Sequence, residues 1–151
     1  MVSAEVLKKQ ILFEDVPVEM LDTLAASISE LELKKGEALY AEGQQSKGVY
    51  LIRSGKVEVS KKTADGWKQR LAVFTPGHFF GELSIMEHRV HEADAEALED
   101  TKLFLLPKPE FERIEKVNAQ LALAIMKKIS TVMSNNLRRM NQRFIDALIN
   151  Y

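Results

Sequence analysis

Changes in the spacing of apolar residues divide the chain into three parts. Near the start, Val6, Leu7, Ile11, Leu12, Met20, Leu21, Leu24, Ala25 and Ile28 recur at helical intervals, and Pro17 suits a first helical turn after the Glu14-Asp15 pair. Two short helices are expected within residues 1–30. Over residues 31–106 the apolar positions shorten into Leu31/Leu33, the run 49–52, Val57/Val59, Leu71/Val73, Phe79/Phe80 and Leu103/Leu105. Gly36, Gly43, Gly55, Gly66 and Pro76-Gly77 punctuate them at strand-and-turn spacing. This pattern predicts a mainly β domain with flanking helices, its residues 31–107 forming a small antiparallel barrel or jelly roll.

After Pro107 and Pro109 comes a short helical piece over residues 110–116, and Asn118 stands where an N-cap would precede a longer helix. No Gly or Pro interrupts residues 119–150, so an unbroken helix there would measure about 48 Å. A domain of this size has an expected radius of gyration of only about 15 Å. One apolar stripe runs Ala122, Met126, Ile129, Met133, Leu137, Met140, Phe144, Leu148, close to an eleven-residue repeat, which favours a nearly straight or slightly right-handed association. A second stripe, Leu121, Ile125 and Val132, covers only the first half. The first half is therefore expected to pack on its own barrel. The continuous stripe, with Met126, Ile129, Met133, Leu137, Met140 and Phe144 as contacts, is expected to meet a second copy in a parallel homodimer.

Composition narrows the function. With 151 residues, 46% hydrophobic and 28% charged, the chain reads as one domain whose C-terminal helical part covers residues 108–151. Folding at this length removes roughly 68–70% of the unfolded surface from water without help from crosslinks. There is no cysteine, which excludes disulfides, thiol chemistry, iron–sulfur clusters and cysteine-ligated zinc. The longest apolar run, residues 121–126, is far short of the ~20 needed to cross a bilayer, and residues 1–30 lack a signal-peptide core. A cytoplasmic protein without membrane contact is expected. The net charge of −1 argues against a protein-wide attraction to nucleic acid.

Phosphate loops, a nucleophile elbow and a helical zinc-protease motif are all absent, so no enzyme and no catalytic residue are expected. His78, His88 and His91 are read as solvated loop residues and not as metal ligands, a metal-dependent barrel enzyme of the cupin type being the distant alternative.

The most distinctive stretch is Pro76-Gly77-His78-Phe79-Phe80-Gly81-Glu82-Leu83-Ser84, followed by Ala93-Asp94-Ala95-Glu96-Ala97. With Leu33-Lys34-Lys35-Gly36-Glu37, Glu42-Gly43 and the run 49–59 before it, Leu12-Phe13-Glu14-Asp15-Val16-Pro17 at the start and the long final helix, it resembles the cyclic-nucleotide-binding domain family. That family includes the catabolite activator protein and the regulatory subunits of cyclic-nucleotide-dependent kinases. The resemblance implies a regulatory or sensor module working in signal transduction, with a phosphate cassette over residues 81–95. In such a cassette a short helix begins at Gly-Glu-Leu, its free N–H groups and dipole facing the phosphate, and the Glu accepts a bond from the ribose hydroxyl. Gly81, Glu82 and Leu83 match, and Ser84, His91, Glu92 and Ala93 complete the candidate ligand site.

The cassette departs from the family pattern where an Arg and then a small residue are expected. Those positions fall on His91 and Glu92, and Arg89 comes two residues early. Losing a charge-assisted pair removes about 1.5–3 kcal/mol. A carboxylate about 5 Å from the phosphate adds roughly 3 kcal/mol of repulsion at an effective dielectric near 20. Together they predict binding of cyclic AMP or cyclic GMP weakened about a thousandfold or more. Protonated below about pH 6.5, His91 would restore one positive charge. Glu82 and the glycines are equally explained by helix electrostatics and turn geometry, and Phe79-Phe80 by the core.

Three readings follow. One is a sensor for a cyclic nucleotide or another small anion, acting on an unidentified downstream protein. Another is a dimerisation or protein-interaction domain that binds no ligand. The third, nucleic-acid binding through Lys127, Lys128, Arg138, Arg139 and Arg143, is disfavoured, because the helix-turn-helix domain of the family's transcription factors is not in this sequence. Charge is unevenly spread: residues 81–100 carry seven acids and one Arg, whereas residues 101–151 carry nine bases and four acids.

Overall fold

The computed structural model describes residues 2–150; the ends of the expected helical segments at Met1 and Tyr151 lie outside the described residues. Helix α1 (Ala4–Lys8), a 3₁₀ turn (Ile11–Phe13) and α2 (Val18–Ala25) come first. Eight strands follow: β1 (Ser29–Leu33), β2 (Ala38–Tyr40), β3 (Gly48–Ser54), β4 (Val57–Lys62), β5 (Lys68–Phe74), β6 (Phe79–Phe80), β7 (Asp94–Ala97) and β8 (Thr101–Pro107). The short helix α3 (Leu83–Met86) lies between β6 and β7, and α4 (Lys108–Val117) and α5 (Ala119–Ile149) close the described chain. The strands form two antiparallel four-stranded sheets, ordered β1-β8-β3-β6 and β2-β7-β4-β5, as the turn-rich pattern predicts.

The adjacent strands β3 and β8 of the first sheet are largely buried on both faces, which is why they read as nearly continuous apolar runs and not as alternations. Val49, Leu51, Phe104 and Leu106 face a core shared with Leu7, Phe13, Leu24, Phe111, Leu121 and Ile125 from the helices. The intervening Tyr50, Ile52, Leu103 and Leu105 point the other way, into the roll, where Tyr40, Val57, Phe80 and Ala95 meet them. The expected placement of Phe79 and Phe80 in the core holds, at 6% and 2% exposure.

Gly55 turns the chain from β3 to β4 at φ 92°, and a Cβ there would lie 2.3 Å from Thr101 Oγ1 and 2.6 Å from the Asp100 carbonyl oxygen. Only glycine fits that contact between two turns.

Asn118 caps α5, its side-chain oxygen accepting from Leu121 N–H at 3.2 Å. At 31 residues α5 is about 46 Å long. Leu121, Ala122, Ile125 and Ile129 are buried in the chain's own core, and Lys128 ties the same half to the N-terminal segment through Asp15 at 2.8 Å and Glu14 at 3.4 Å. The expected interface therefore needs correction. Ile129 is fully buried within the chain's own core and presents no surface to a second copy. Met126 and Met133 lean on the same core. Beyond residue 133 every described position is exposed, including Leu137, Met140, Phe144 and Leu148. The stripe turned from the core to solvent because a roll this short cannot line a rod of that length. No helix among the described residues is long and apolar enough to cross a membrane.

Candidate functional site

The site begins where β6 ends. Gly81 takes φ 78°, and a Cβ there would come within 3.1 Å of the Gly48 carbonyl oxygen, so the left-handed backbone and the close carbonyl together favour glycine without any ligand. Glu82 precedes α3, and Ser84 Oγ donates to the Gly81 carbonyl at 2.6 Å, closing the turn. Residues 88–92 then run back against the β2–β3 loop. Ser46 N–H donates to the Arg89 carbonyl at 3.2 Å, His91 N–H to that of Gln44 at 2.8 Å and Gly43 N–H to that of His91 at 2.8 Å, with Gln45 and Val90 paired as an isolated bridge.

These two loops and the start of α3 border a cavity of about 150 Å³. Gly81, Glu82, Leu83, Ser84, His91 and Glu92 all line it, whereas Ala93 is buried and outside the lining. Ser46, Arg89 and Val90 complete the wall. Arg89 thus stands in the cavity although it lies two positions before the expected arginine position. In the extended segment around the Gln45–Val90 bridge, residues 89 and 91 fall on one side. Its guanidinium is engaged by two carboxylates, Glu87 at 3.1 Å and Glu92. The three side chains carry a net charge of −1 in the place where a phosphate would need a cation.

Glu92 is 71% exposed, so its repulsion of a bound phosphate is screened by water. At a dielectric near 80 and about 4 Å the repulsion is about 1 kcal/mol, below the 3 kcal/mol expected from sequence.

His91 is not the solvated loop residue expected from its acidic neighbours. It is 9% exposed, and its ring lies flat on that of Tyr40, centroids 3.5 Å apart and planes 3° apart. Burial lowers its pKa below the usual histidine value, so the imidazole is neutral near pH 7 and does not replace the missing arginine charge. Tyr40 in turn sits 5.8 Å from Tyr50, and Tyr50 and Phe74 stack on Phe80. Burial pushes the Tyr40 hydroxyl pKa up, with Tyr50 and Glu82 adding to the effect. Burial raises the Glu82 carboxyl as well, partly offset by its own backbone N–H.

Ser46 and Val90 are the lining residues that the sequence reading did not name. The Ser46 Oγ is buried and has no hydrogen-bond partner among the described residues. Nothing in the residues around position 46 signals the long-range pairing that brings it to Arg89. A second cleft of about 350 Å³ lies between Glu32, Lys34, Glu37, Asp100 and Lys102, and two of its three carboxylates already accept from backbone N–H groups, Glu37 from Lys34 and Asp100 from Lys35. Among the described residues no cluster of His, Asp and Glu could hold a metal ion.

A two-sheet roll with a glycine-turned short helix after β6 and a long helix behind it is the fold class that the comparisons identify. The cyclic nucleotide-binding domain model matches residues 30–118, and the chain belongs to that family. It is 30% identical to the cyclic AMP receptor protein of Thermus thermophilus over 66% of this chain and 46% of that protein. The N-terminal domain of a transcriptional regulator from Streptomyces coelicolor A3(2) superposes with TM-score 0.76 at 29% identity, covering 92% of this chain and 94% of that one. The sensor domain of the transcriptional regulator DNR from Pseudomonas aeruginosa does so with TM-score 0.71 at 27% identity, covering 89% and 90%. The chain spans 46–62% of the length of the first curated relatives it matches.

Proposed function

We propose that this chain is a sensor module that regulates without catalysis, that pairs with a second copy through the distal half of α5, and that binds cyclic AMP and cyclic GMP only weakly. The observation that carries the reading is the Arg89 guanidinium held between Glu87 and Glu92 beside Glu82. A cyclic phosphate must displace one of these carboxylates, and it meets an excess of negative charge as it enters. Volume supports the same conclusion. At about 150 Å³ the cavity is half or less of the ~300–1,000 Å³ of sites for drug-sized ligands, because Tyr40, His91 and Phe80 fill the roll behind it. Family membership, and relatives named as sensor domains and transcriptional regulators, support a signalling output carried by α5 to a downstream protein.

A second reading, a dimerisation or protein-interaction domain without ligand, draws on that aromatic filling. Calorimetric titration with cyclic AMP and cyclic GMP at neutral pH tests the proposal. Dissociation constants in the millimolar range, or no heat, are expected; micromolar binding of either nucleotide overturns it.

A further inference from the structure

The far half of the β4–β5 hairpin stands clear of the roll as a two-stranded ribbon. Residues 61–70 are all exposed, and β5 is the free edge of the second sheet. This stretch holds Lys61, Lys62, Lys68 and Arg70 against Asp65 alone, a net +3 in a chain whose total is −1. At its tip stands Trp67, 75% exposed. We infer that the ribbon binds single-stranded nucleic acid, the phosphates meeting Lys62, Lys68 and Arg70 while a base stacks on Trp67.

The cross-strand register carries the argument. Lys62 is paired with Lys68, and Arg70 follows two residues on, so the three cations share one face of the ribbon. Like charges directly opposite each other destabilise a ladder, and an anion held between them removes that cost. Glu58, buried on the same face, engages both Lys68 and Arg70. One carboxylate fixes two half-exposed cations and neutralises a single charge, so a phosphate on their outer side adds to these pairs and does not displace them. The acids of this face, Glu58, Asp94 and Glu96, lie inward on β4 and β7, whereas the cations line the free edge and the tip.

Trp67 decides which anion fits. Its carbonyl accepts from Thr63 N–H at 2.8 Å and its own N–H donates to Thr63 Oγ1 at 3.2 Å, which fixes the residue at the turn ahead of β5. An exposed aromatic face beside cations stacks any unpaired base, and the bases within a duplex are already stacked on one another. A membrane surface is the poorer fit, because interfacial binding scales with buried apolar area and Trp67 is the one large apolar residue in 61–70. Lysines on an edge strand also keep sheets from pairing edge to edge. That role asks for no uncovered tryptophan and no lysine facing a lysine.

Trp67 is the chain's only tryptophan, so its fluorescence reports the site directly. Titration of the purified protein with oligo(dT) of about twelve nucleotides, inside the ~4–16 span of single-strand sites, is expected to quench it saturably at low salt. Three phosphate contacts predict affinity about twentyfold weaker at ~200 mM than at ~50 mM salt. With a labelled oligonucleotide read by anisotropy, Lys62→Gln is expected to lower the salt slope by about a third. Trp67→Leu is expected to weaken binding about fivefold or more, and Trp67→Phe to recover most of it. Both positions are exposed, so the melting temperatures of these variants are expected to match wild type. No saturable quenching at low salt, binding that neither substitution changes, or a duplex bound as tightly as the single strand overturns the inference. A fluorescence change with vesicles of phosphatidylserine and phosphatidylcholine and none with oligo(dT) overturns it in favour of an anionic membrane surface.

Discussion

His91 lies flat on Tyr40, its ring centroid 3.5 Å from the tyrosine's. The stack places the residue that takes the arginine's position in the sequence inside the roll, as a wall between the cassette and the aromatic interior. Its role is thereby packing, and the charge at the cavity mouth falls to Arg89 and the carboxylates that hold it.

Burying His91 couples folding to pH. Its folded pKa lies below the unfolded value near 6.5, so the unfolded state binds more protons, and the contribution is complete above pH 6.5 and lost as pH falls through the folded pKa. Glu82, raised by burial, acts in the opposite direction, favouring the folded state as pH falls. The difference between variants isolates the histidine. In urea unfolding from pH 7.5 down to 5, wild type is expected to lose stability relative to His91→Phe, which keeps the stack and cannot be protonated.

Glu58 is the buried carboxylate of β4, 4% exposed and held by Lys68 and by Arg70 from β5. Hydrogen bonds from both partners lower its pKa. Its contribution is present above the usual carboxylate value and lost as pH falls through the lowered one. Lys68 and Arg70 are themselves half exposed, so Glu58→Ala is expected to cost about 1–2 kcal/mol at neutral pH, discounted for solvent screening. It is also expected to reduce acid sensitivity below pH 4.5. Denaturant titrations at pH 7 and pH 4 check both.

The two halves of α5 are expected to respond differently to the same change. Phe144→Glu, at 66% exposure, should leave circular dichroism and melting within about 0.5 kcal/mol of wild type while halving the sedimentation mass. Ile129→Glu buries a charge in the protomer core and is expected to unfold the domain, with a loss of more than about 3 kcal/mol. An unchanged sedimentation mass for Phe144→Glu would remove the distal half of α5 as the interface.

How much of this was legible in sequence follows from the range of the interactions. The short strands, the Asn118 cap and the long helix come from local periodicity and turn chemistry, and the two-sided burial of β3 and β8 is written in their unbroken apolar runs. The glycine at position 81 and the helix after it were equally readable. Arg89 and Ser46 were not, because their meeting depends on a bridge between Gln45 and Val90, 45 residues apart, which no spacing rule reveals. Ile129 was misplaced for a related reason: an apolar stripe records which face of a helix is apolar, and not what covers it. Whether one's own core or a second copy does so depends on where the roll ends.

The central claim is that the cassette's own carboxylates keep Arg89 from a cyclic phosphate. It is tested most directly by calorimetric dissociation constants of cyclic AMP for wild type and Glu92→Ala, measured side by side at neutral pH. The account predicts a wild-type constant in the millimolar range and one at least about fivefold tighter for Glu92→Ala, from the loss of about 1 kcal/mol of repulsion and the release of one arm of the guanidinium. A micromolar wild-type constant that Glu92→Ala leaves unchanged would contradict it.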